Sequence, residues 1–424
     1  MTYSYRNGEL YCEEVPLHEL ARDAGTPCFV YSSRLVDDAF QRVTRAVSFA
    51  DHLVAYAMKA NGNLSLLRRL SAAGCGADIV SGGELRRALQ AGIPPDRIVF
   101  SGVGKTEDEL SFALDQQIRS IHVESVQELE AVEKIAKQSQ RCARIALRIN
   151  PDVDPKTHPY IATGLLESKF GLGVETARSL LPGLLRSPHL QFEGLACHIG
   201  SQISDPNALQ SAVYLVASFA RECQQAGAPI RSIDAGGGWP LSYGNESIQY
   251  PPWSEFGAAI RLGLEQAGFG PRDLQLIIEP GRALVGDAGT LLTRVLYTKE
   301  QSGKRFVIVD GAMTELIRPA LYQAHHAVQP VQKPATENHE MDEIQADIVG
   351  PVCESGDFLA RNCTLPSTVS VGDLLAIRSA GAYSMVMASN YNARPTPPEI
   401  LVEAAHYRTI RKRQPIEELW RYEL

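Results

Sequence analysis

No stretch of this chain is apolar for long enough to cross a bilayer, and its first ten residues contain no apolar signal core. The eight cysteines, at 12, 28, 75, 142, 197, 223, 353 and 363, form no CxxC pair and no zinc-type spacing. In a chain this long, that points to reduced thiols in the cytoplasm, with Cys75, Cys142, Cys197 and Cys223 as small core residues. A basic excess is also lacking. The formal net charge of -8 leaves no footprint for nucleic acid and no polybasic membrane anchor. Solenoid repeats and low-complexity tracts are missing too, and nothing calls for a metal. What is there is an ordinary globular composition, 44% hydrophobic and 21% charged, over 424 residues, enough for two domains.

The organising stretch is Leu53-Val54-Ala55-Tyr56-Ala57-Met58-Lys59-Ala60-Asn61. A short apolar run bounded by Asn61-Gly62-Asn63 reads as a buried strand of a parallel sheet. Similar runs, each ending in a polar or Gly-rich turn, recur at 76–81, 98–102, 120–124, 144–151, 192–200, 233–239 and 276–282. Helical patterns lie between them, as at Leu66–Leu70 and Leu209–Ala226. Three helices open with a capping-box spacing: Ser81 with Glu84, Thr106 with Glu109, and Ser125 with Glu128. Eight strand–helix units over roughly 250 residues predict a (β/α)8 barrel. An open doubly wound sheet ranks second, because Gly236-Gly237-Gly238 is not a GxGxxG fingerprint and comes late in the order.

After about Val285 the texture changes to β-like runs at 290–298, 305–310, 344–349, 373–377 and 399–402, with one helical pattern around 318–326. This predicts an antiparallel β-sandwich domain. Residues 329–347 read as a polar surface loop, and Leu10–Cys12 and Pro27–Ser32 as short strands. The expected division is a barrel over 30–282 and a β domain over 283–424, joined by 1–29.

A barrel gathers the C-terminal ends of its strands at one mouth, where active sites are built. Lys59, His198, Gly236–Gly238, Glu279 and Arg282 stand at such ends. An ammonium at the end of a buried strand is costly to desolvate, which favours the neutral amine that attacks an aldehyde to form a Schiff base. Three glycines can turn backbone N–H groups towards a phosphate. Singly, each has a plainer reading: Lys59 emerging into solvent, a tight turn at the glycines, His198 as a core histidine, Glu279 paired with Arg282. Jointly they fit pyridoxal 5'-phosphate, which needs a lysine for its aldehyde, donors for its phosphate and a carboxylate for its ring nitrogen.

These motifs, with Gly350-Pro351-Val352-Cys353-Glu354-Ser355-Gly356-Asp357 and Gly381-Ala382-Tyr383-Ser384, resemble the pyridoxal-phosphate decarboxylases of the alanine-racemase fold. Asp310-Gly311-Ala312-Met313, Arg318-Pro319-Ala320-Leu321-Tyr322 and Met387–Asn392 are similar to the diaminopimelate decarboxylase branch. The resemblance spans 30–402, with the motifs in the same order. It implies a barrel plus a β-sandwich, and a homodimer with shared sites. It makes Lys59 the Schiff-base lysine, with His198 stacked on the ring and Glu279 at the ring nitrogen. Ser201, Gly236, Gly237, Gly238, Gly281 and Arg282 would surround the phosphate, and Tyr383 would touch the cofactor. Arg282, Arg318, Tyr322 and Tyr383 would bind substrate, and Cys353 and Glu354 would arrive from the other subunit. One departure stands out. The family's glycine turn continues Leu-Gly, whereas this chain has Trp239-Pro240, and Pro240 has no N–H to offer a phosphate.

The implied reaction is decarboxylation of meso-2,6-diaminopimelate to L-lysine and CO2, in lysine biosynthesis, with Cys353 as the proton donor after the carboxylate leaves. Arg282 and Arg318 suit a substrate with carboxylates at both ends. Competing readings are a carboxynorspermidine-type substrate, a basic amino acid held by an acid, and an amino-acid racemase, which needs two opposed bases. A non-catalytic relative would be expected to lose the lysine or the cysteine, and a barrel-only carrier would lack the β domain.

Overall fold

The computed structural model describes residues 2–153, 169–244, 249–333 and 342–423. The chain forms two compact units, one of Ala39–Leu241 with Ile248–Ala283, the other of Met1–Asp38, Ser242–Ser247 and Leu284–Leu424.

The first four strands, β1 (Tyr3–Arg6), β2 (Glu9–Cys12), β3 (Val15–Pro16) and β4 (Cys28–Ser32), all belong to the second of these units. The first unit is the barrel. Its strands are β5 (His52–Ala57), β6 (Gly76–Ile79), β7 (Ile98–Phe100), β8 (Ser120–Val123), β9 (Ala143–Arg148), β10 (Leu190–Ala196), β11 (Ser232–Asp234) and β12 (Gln275–Ile278). All pair in parallel, and β12 closes on β5 through Leu276 opposite His52 and Ile278 opposite Val54. Each strand overlaps an expected run, five of them starting one or two residues before it, and each ends ahead of the polar turn, so most of the expected site residues stand on the loops just beyond.

The three predicted caps are present, and only one is the full reciprocal box. Thr106 and Glu109 exchange both bonds. Glu84 and Glu128 instead reach one residue further back, to the N–H groups of Val80 and Glu124, while Ser81 and Ser125 cap in the usual way. Each device satisfies donors at a helix start directly after a strand, which pins the strand-to-helix turn.

The β unit continues with β13 (Gly289–Gln301), β14 (Lys304–Val309), β15 (Val328–Pro330), β16 (Glu343–Val349), β17 (Phe358–Pro366), β18 (Leu374–Ile377), β19 (Glu399–Glu403) and β20 (His406–Arg411). The long β13 pairs with β4 and β18 along its first half and with β14 along its second, with a register shift between Val295 and Tyr297. Most pairs are antiparallel, as expected, but β4–β19 and β14–β16 are parallel. Parallel neighbours need long crossovers, and both pairs have them: β4 comes from the N-terminus, and more than thirty residues separate β14 from β16. The helix Leu17–Ala24 buries Leu17, Leu20 and Ala21 against Val30, Leu292 and Ile400 in this unit's core.

Three expectations need correcting. The polar stretch 329–347 is not one loop: β15 pairs with β18 and β16 starts at Glu343, while 334–341 lie outside the described residues. The helix at 318 stops at Tyr322, because Gln323 takes a left-handed conformation at φ 52 and caps it. Cys142 is exposed at the turn before β9, whereas Cys75, Cys197 and Cys223 are buried as expected.

Candidate active site

Lys59 stands two residues past β5, in a short 3-10 turn over Met58–Ala60. Its side chain keeps 38% exposure, and Oδ2 of the buried Asp78 lies 3.7 Å from Nζ. The amine thus stands beside an acidic group rather than in wholly apolar surroundings.

Asp78 is buried, as are Asp234 at the end of β11 and Glu279 just after β12. Asp234 Oδ1 accepts the Gly236 N–H at 2.8 Å, and the Ser101 hydroxyl donates to Glu279 Oε1 at 3.3 Å. Ligating atoms of His122, Asp234 and Glu279 lie within 4.8 Å of one another. Burial pushes all three carboxyls up, Asp234 to about 7 and Glu279 well above its usual range; repulsion from Asp78 adds to the rise at Asp234, repulsion from Asp234 and Asp78 to that at Glu279, and repulsion from Glu124 to that at Asp78. Lys59 opposes the rise at Asp78 and Glu279. Carboxylates this close cannot all ionise, so the cluster retains protons. Burial, with Lys105 and Arg148 nearby, drives His122 down to about 3, so that ring is neutral.

Two of the three glycines in the turn donate their N–H groups within the protein. The N–H of Gly236 is donated to Asp234, and the N–H of Gly237 to His198 Nδ1 at 3.1 Å. These glycines are required by contact: a Cβ at Gly236 would sit 2.4 Å from the Cys197 carbonyl oxygen, and one at Gly237 would sit 2.4 Å from that of Glu279. They let the tails of β10, β11 and β12 touch. Only the N–H of Gly238 meets no protein acceptor among the described residues. Because Gly237 donates to Nδ1, and burial with Lys59 pushes His198 well below its usual pKa, the ring is neutral with its hydrogen on Nε2.

Arg282 Nη2 donates to Ser201 Oγ at 3.1 Å, which joins two of the expected phosphate residues. A Cβ on Gly281 would lie 3.0 Å from that of Ala57, whose N–H donates to the Pro280 carbonyl at 3.2 Å. Pro240 is accommodated from outside the turn. Its carbonyl accepts the Trp253 indole N–H at 2.9 Å, Trp239 packs on Phe256, and Gln202 exchanges two hydrogen bonds with Leu241, at 2.8 and 2.9 Å.

Sequence reasoning missed Asp78, Ser101, His122, Arg148 and Asp234 as site residues. Arg148 is buried and paired with Glu124 at 2.9 Å, and its charge is felt by every titrating group of the cluster. A usable signal existed. Each of these polar residues sits in or directly after the apolar run of a barrel strand, where an uncharged side chain is the default.

The remaining candidates lie in the β unit. Asp357 accepts N–H groups from Val352 at 2.8 Å and Met313 at 2.6 Å, folding the 353–356 turn around a buried carboxylate. Cys353 and Glu354 are exposed on that turn, and the Cys353 N–H is donated to Asn392 Oδ1 at 2.8 Å. Arg318 is buried, whereas Tyr322 on the same five-residue helix is half-buried. Tyr383 holds a left-handed φ of 55, a strained choice for an aromatic residue.

The barrel residues meet the demands of pyridoxal phosphate. An amine stands at the mouth beside buried carboxyl groups that repel one another, and a carboxylate is what the ring nitrogen of that cofactor needs. A neutral imidazole, the Gly238 N–H, Ser201 and Arg282 complete the set.

Comparison with known proteins agrees. The family described as "Pyridoxal-dependent decarboxylase, pyridoxal binding domain" matches residues 34–286. The diaminopimelate decarboxylase of Aquifex aeolicus is 45% identical over 97% of this chain and 94% of its own length. That of Zymomonas mobilis is 44% identical over 99% and 98%. The crystal structure of diaminopimelate decarboxylase from Helicobacter pylori complexed with L-lysine has a TM-score of 0.90 at 42% identity, covering 96% of this chain and 99% of that one. A lysine among buried carboxylates at a barrel mouth, on a chain aligned to these enzymes from end to end, places it in the pyridoxal-dependent decarboxylases, and within them among the diaminopimelate decarboxylases.

Proposed function

We propose that this protein removes one carboxylate from meso-2,6-diaminopimelate, giving L-lysine and CO2. The observation that carries the reading is the Lys59–Asp78–Asp234–Glu279 cluster, on a chain that matches diaminopimelate decarboxylases over nearly its full length. The L-lysine in the Helicobacter pylori enzyme is the product this reading requires.

When bound, pyridoxal phosphate supplies an aldehyde for the substrate amine and a ring that accepts the electron pair left by the departing carboxylate. Lys59 would hold the aldehyde and Glu279 the ring nitrogen, with His198 against the ring. Ser201, Gly238, Gly281 and Arg282 would hold the phosphate. The protein's own part is positioning and proton control. Gly237 fixes the imidazole of His198 in one tautomer, so the ring presents a neutral face. Asp78 Oδ2, 3.7 Å from Lys59 Nζ, places an acidic group beside the amine and orients it at the mouth. Glu279 would supply the carboxylate for a protonated ring nitrogen, whose positive charge would offset the repulsion from Asp234 and Asp78.

Cys353 is proposed as the acid that protonates the carbon left by the carboxylate. Arg282, Arg318, Tyr322, Tyr383 and Glu354 are proposed to bind the substrate, the two arginines meeting its carboxylates. The barrel unit, Ala39–Leu241 with Ile248–Ala283, is proposed to serve the cofactor. We further propose a cytoplasmic homodimer with shared sites. The exposed turn carrying Cys353 and Glu354 can reach a second subunit, and the eight unpaired thiols suit a reducing compartment.

The test is incubation of the purified, cofactor-loaded protein with meso-diaminopimelate, L-lysine, L-ornithine and carboxynorspermidine, measuring both CO2 and the amine product. The first should be the preferred substrate. Equal turnover of ornithine or lysine would replace the two-carboxylate reading with a basic-amino-acid one.

A further inference from the structure

His326 has no role in the account so far, yet it is buried, at 1% exposure, and touches Arg318. Its Nε2 lies 2.7 Å from Arg318 Nη1, and its Nδ1 lies 2.8 Å from the Arg378 carbonyl oxygen. A guanidinium only donates and a carbonyl only accepts. Both contacts coexist only if Nε2 carries the lone pair and Nδ1 the hydrogen, which assigns a neutral imidazole in one tautomer. Tyr243 packs edge-on to this ring at 5.1 Å, and the Arg318 guanidinium lies 4.5 Å from the Tyr243 ring centroid. Among the described residues, Arg318 and Tyr243 are charged or titratable groups in contact with the imidazole. Arg378 meets it only through the carbonyl, since its guanidinium donates to Thr290 Oγ1 at 2.6 Å and stacks on Tyr3.

We infer that His326 is a positioning residue for Arg318, holding its guanidinium in the orientation that meets the substrate's second carboxylate. This rests on the proposed role of Arg318. The chemistry explains why an imidazole serves and a carboxylate would not. Aspartate or glutamate at this place would pair with Arg318 and quench the charge that the substrate needs. A neutral acceptor fixes the geometry and leaves the charge intact. A protonated or cationic side chain would set donor against donor.

The experiment is steady-state kinetics on meso-diaminopimelate with His326→Leu, His326→Gln, Arg318→Ala and the Leu/Ala double variant, all cofactor-loaded. His326→Leu should raise KM about tenfold or more, the range for losing a hydrogen bond to a charged group, with kcat and the cofactor absorbance little changed. His326→Gln, whose amide oxygen can accept from Arg318, should stay within about threefold of the parent. In the Arg318→Ala background, His326→Leu should add nothing further, because its effect passes through the arginine. An additive double variant, or a fall in kcat at constant KM, overturns the inference. Should His326→Leu not fold, His326→Gln decides alone: near-parent KM supports the inference and a tenfold rise overturns it. A parent enzyme inactive on meso-diaminopimelate overturns the substrate reading and this inference with it. An active parent with an additive double variant overturns this inference only.

Discussion

Asp234→Asn measures how strongly the buried carboxylates at the barrel mouth repel one another. Burial, with Asp78 adding to it, holds the Asp234 carboxyl at about 7 against an ordinary 3.8. Between those values the folded protein keeps a proton that the unfolded chain releases, so stability falls as pH rises through that window. The group is 1% exposed, so solvent screening does little to reduce the effect. Linkage applied to this shift gives a loss of about 2–3 kcal/mol between pH 5 and pH 8. Asparagine retains an Oδ1 acceptor for the Gly236 N–H, which is 2.8 Å away in the parent, and it does not ionise. The cofactor-free variant should therefore be more stable than the cofactor-free parent, by a margin that widens by about 2–3 kcal/mol from pH 5 to pH 8. Denaturant titration at stepped pH, on both proteins stripped of cofactor, measures that margin. A margin that is flat with pH, or narrows as pH rises, would refute the reasoning, because Asp234 would then be ionised throughout.

Borohydride reduction of the yellow, cofactor-loaded protein should abolish its visible absorbance, and peptide mapping should find the adduct on Lys59; an adduct on any other lysine sinks that assignment. Lys59→Ala and Cys353→Ala should each be nearly inactive, and subunit exchange between them should recover part of the activity; exchange verified by mass without recovery would mean that the sites are not shared. Gly237→Ala forces a Cβ to 2.4 Å from the Glu279 carbonyl oxygen and disturbs the donor to His198. It should lower stability by about 1–3 kcal/mol and weaken cofactor binding, read by thermal unfolding and cofactor titration; parent-like values in both would remove the steric argument for this glycine.

The eight barrel strands and the helix caps were legible because their signals are local. A buried parallel strand must be an apolar run, and a helix start must satisfy its N–H groups within a few residues. The residue types of the site were legible for a related reason: Lys59, His198, Glu279 and Arg282 directly follow such runs, and in a barrel that position defines the mouth. Sequence also carried the family, through ordered motifs. It could not say which N–H groups of Gly236–Gly238 were free, since that depends on Asp234 and His198 arriving from the same and a neighbouring strand. Nor could it foresee Asp78 beside Lys59, the parallel pairs β4–β19 and β14–β16, or His326 against Arg318. Those are pairings across chain separations that no local rule constrains. The type of each side chain was written in the sequence; its protonation state and hydrogen-bond partners were decided only by the neighbours that folding brought against it.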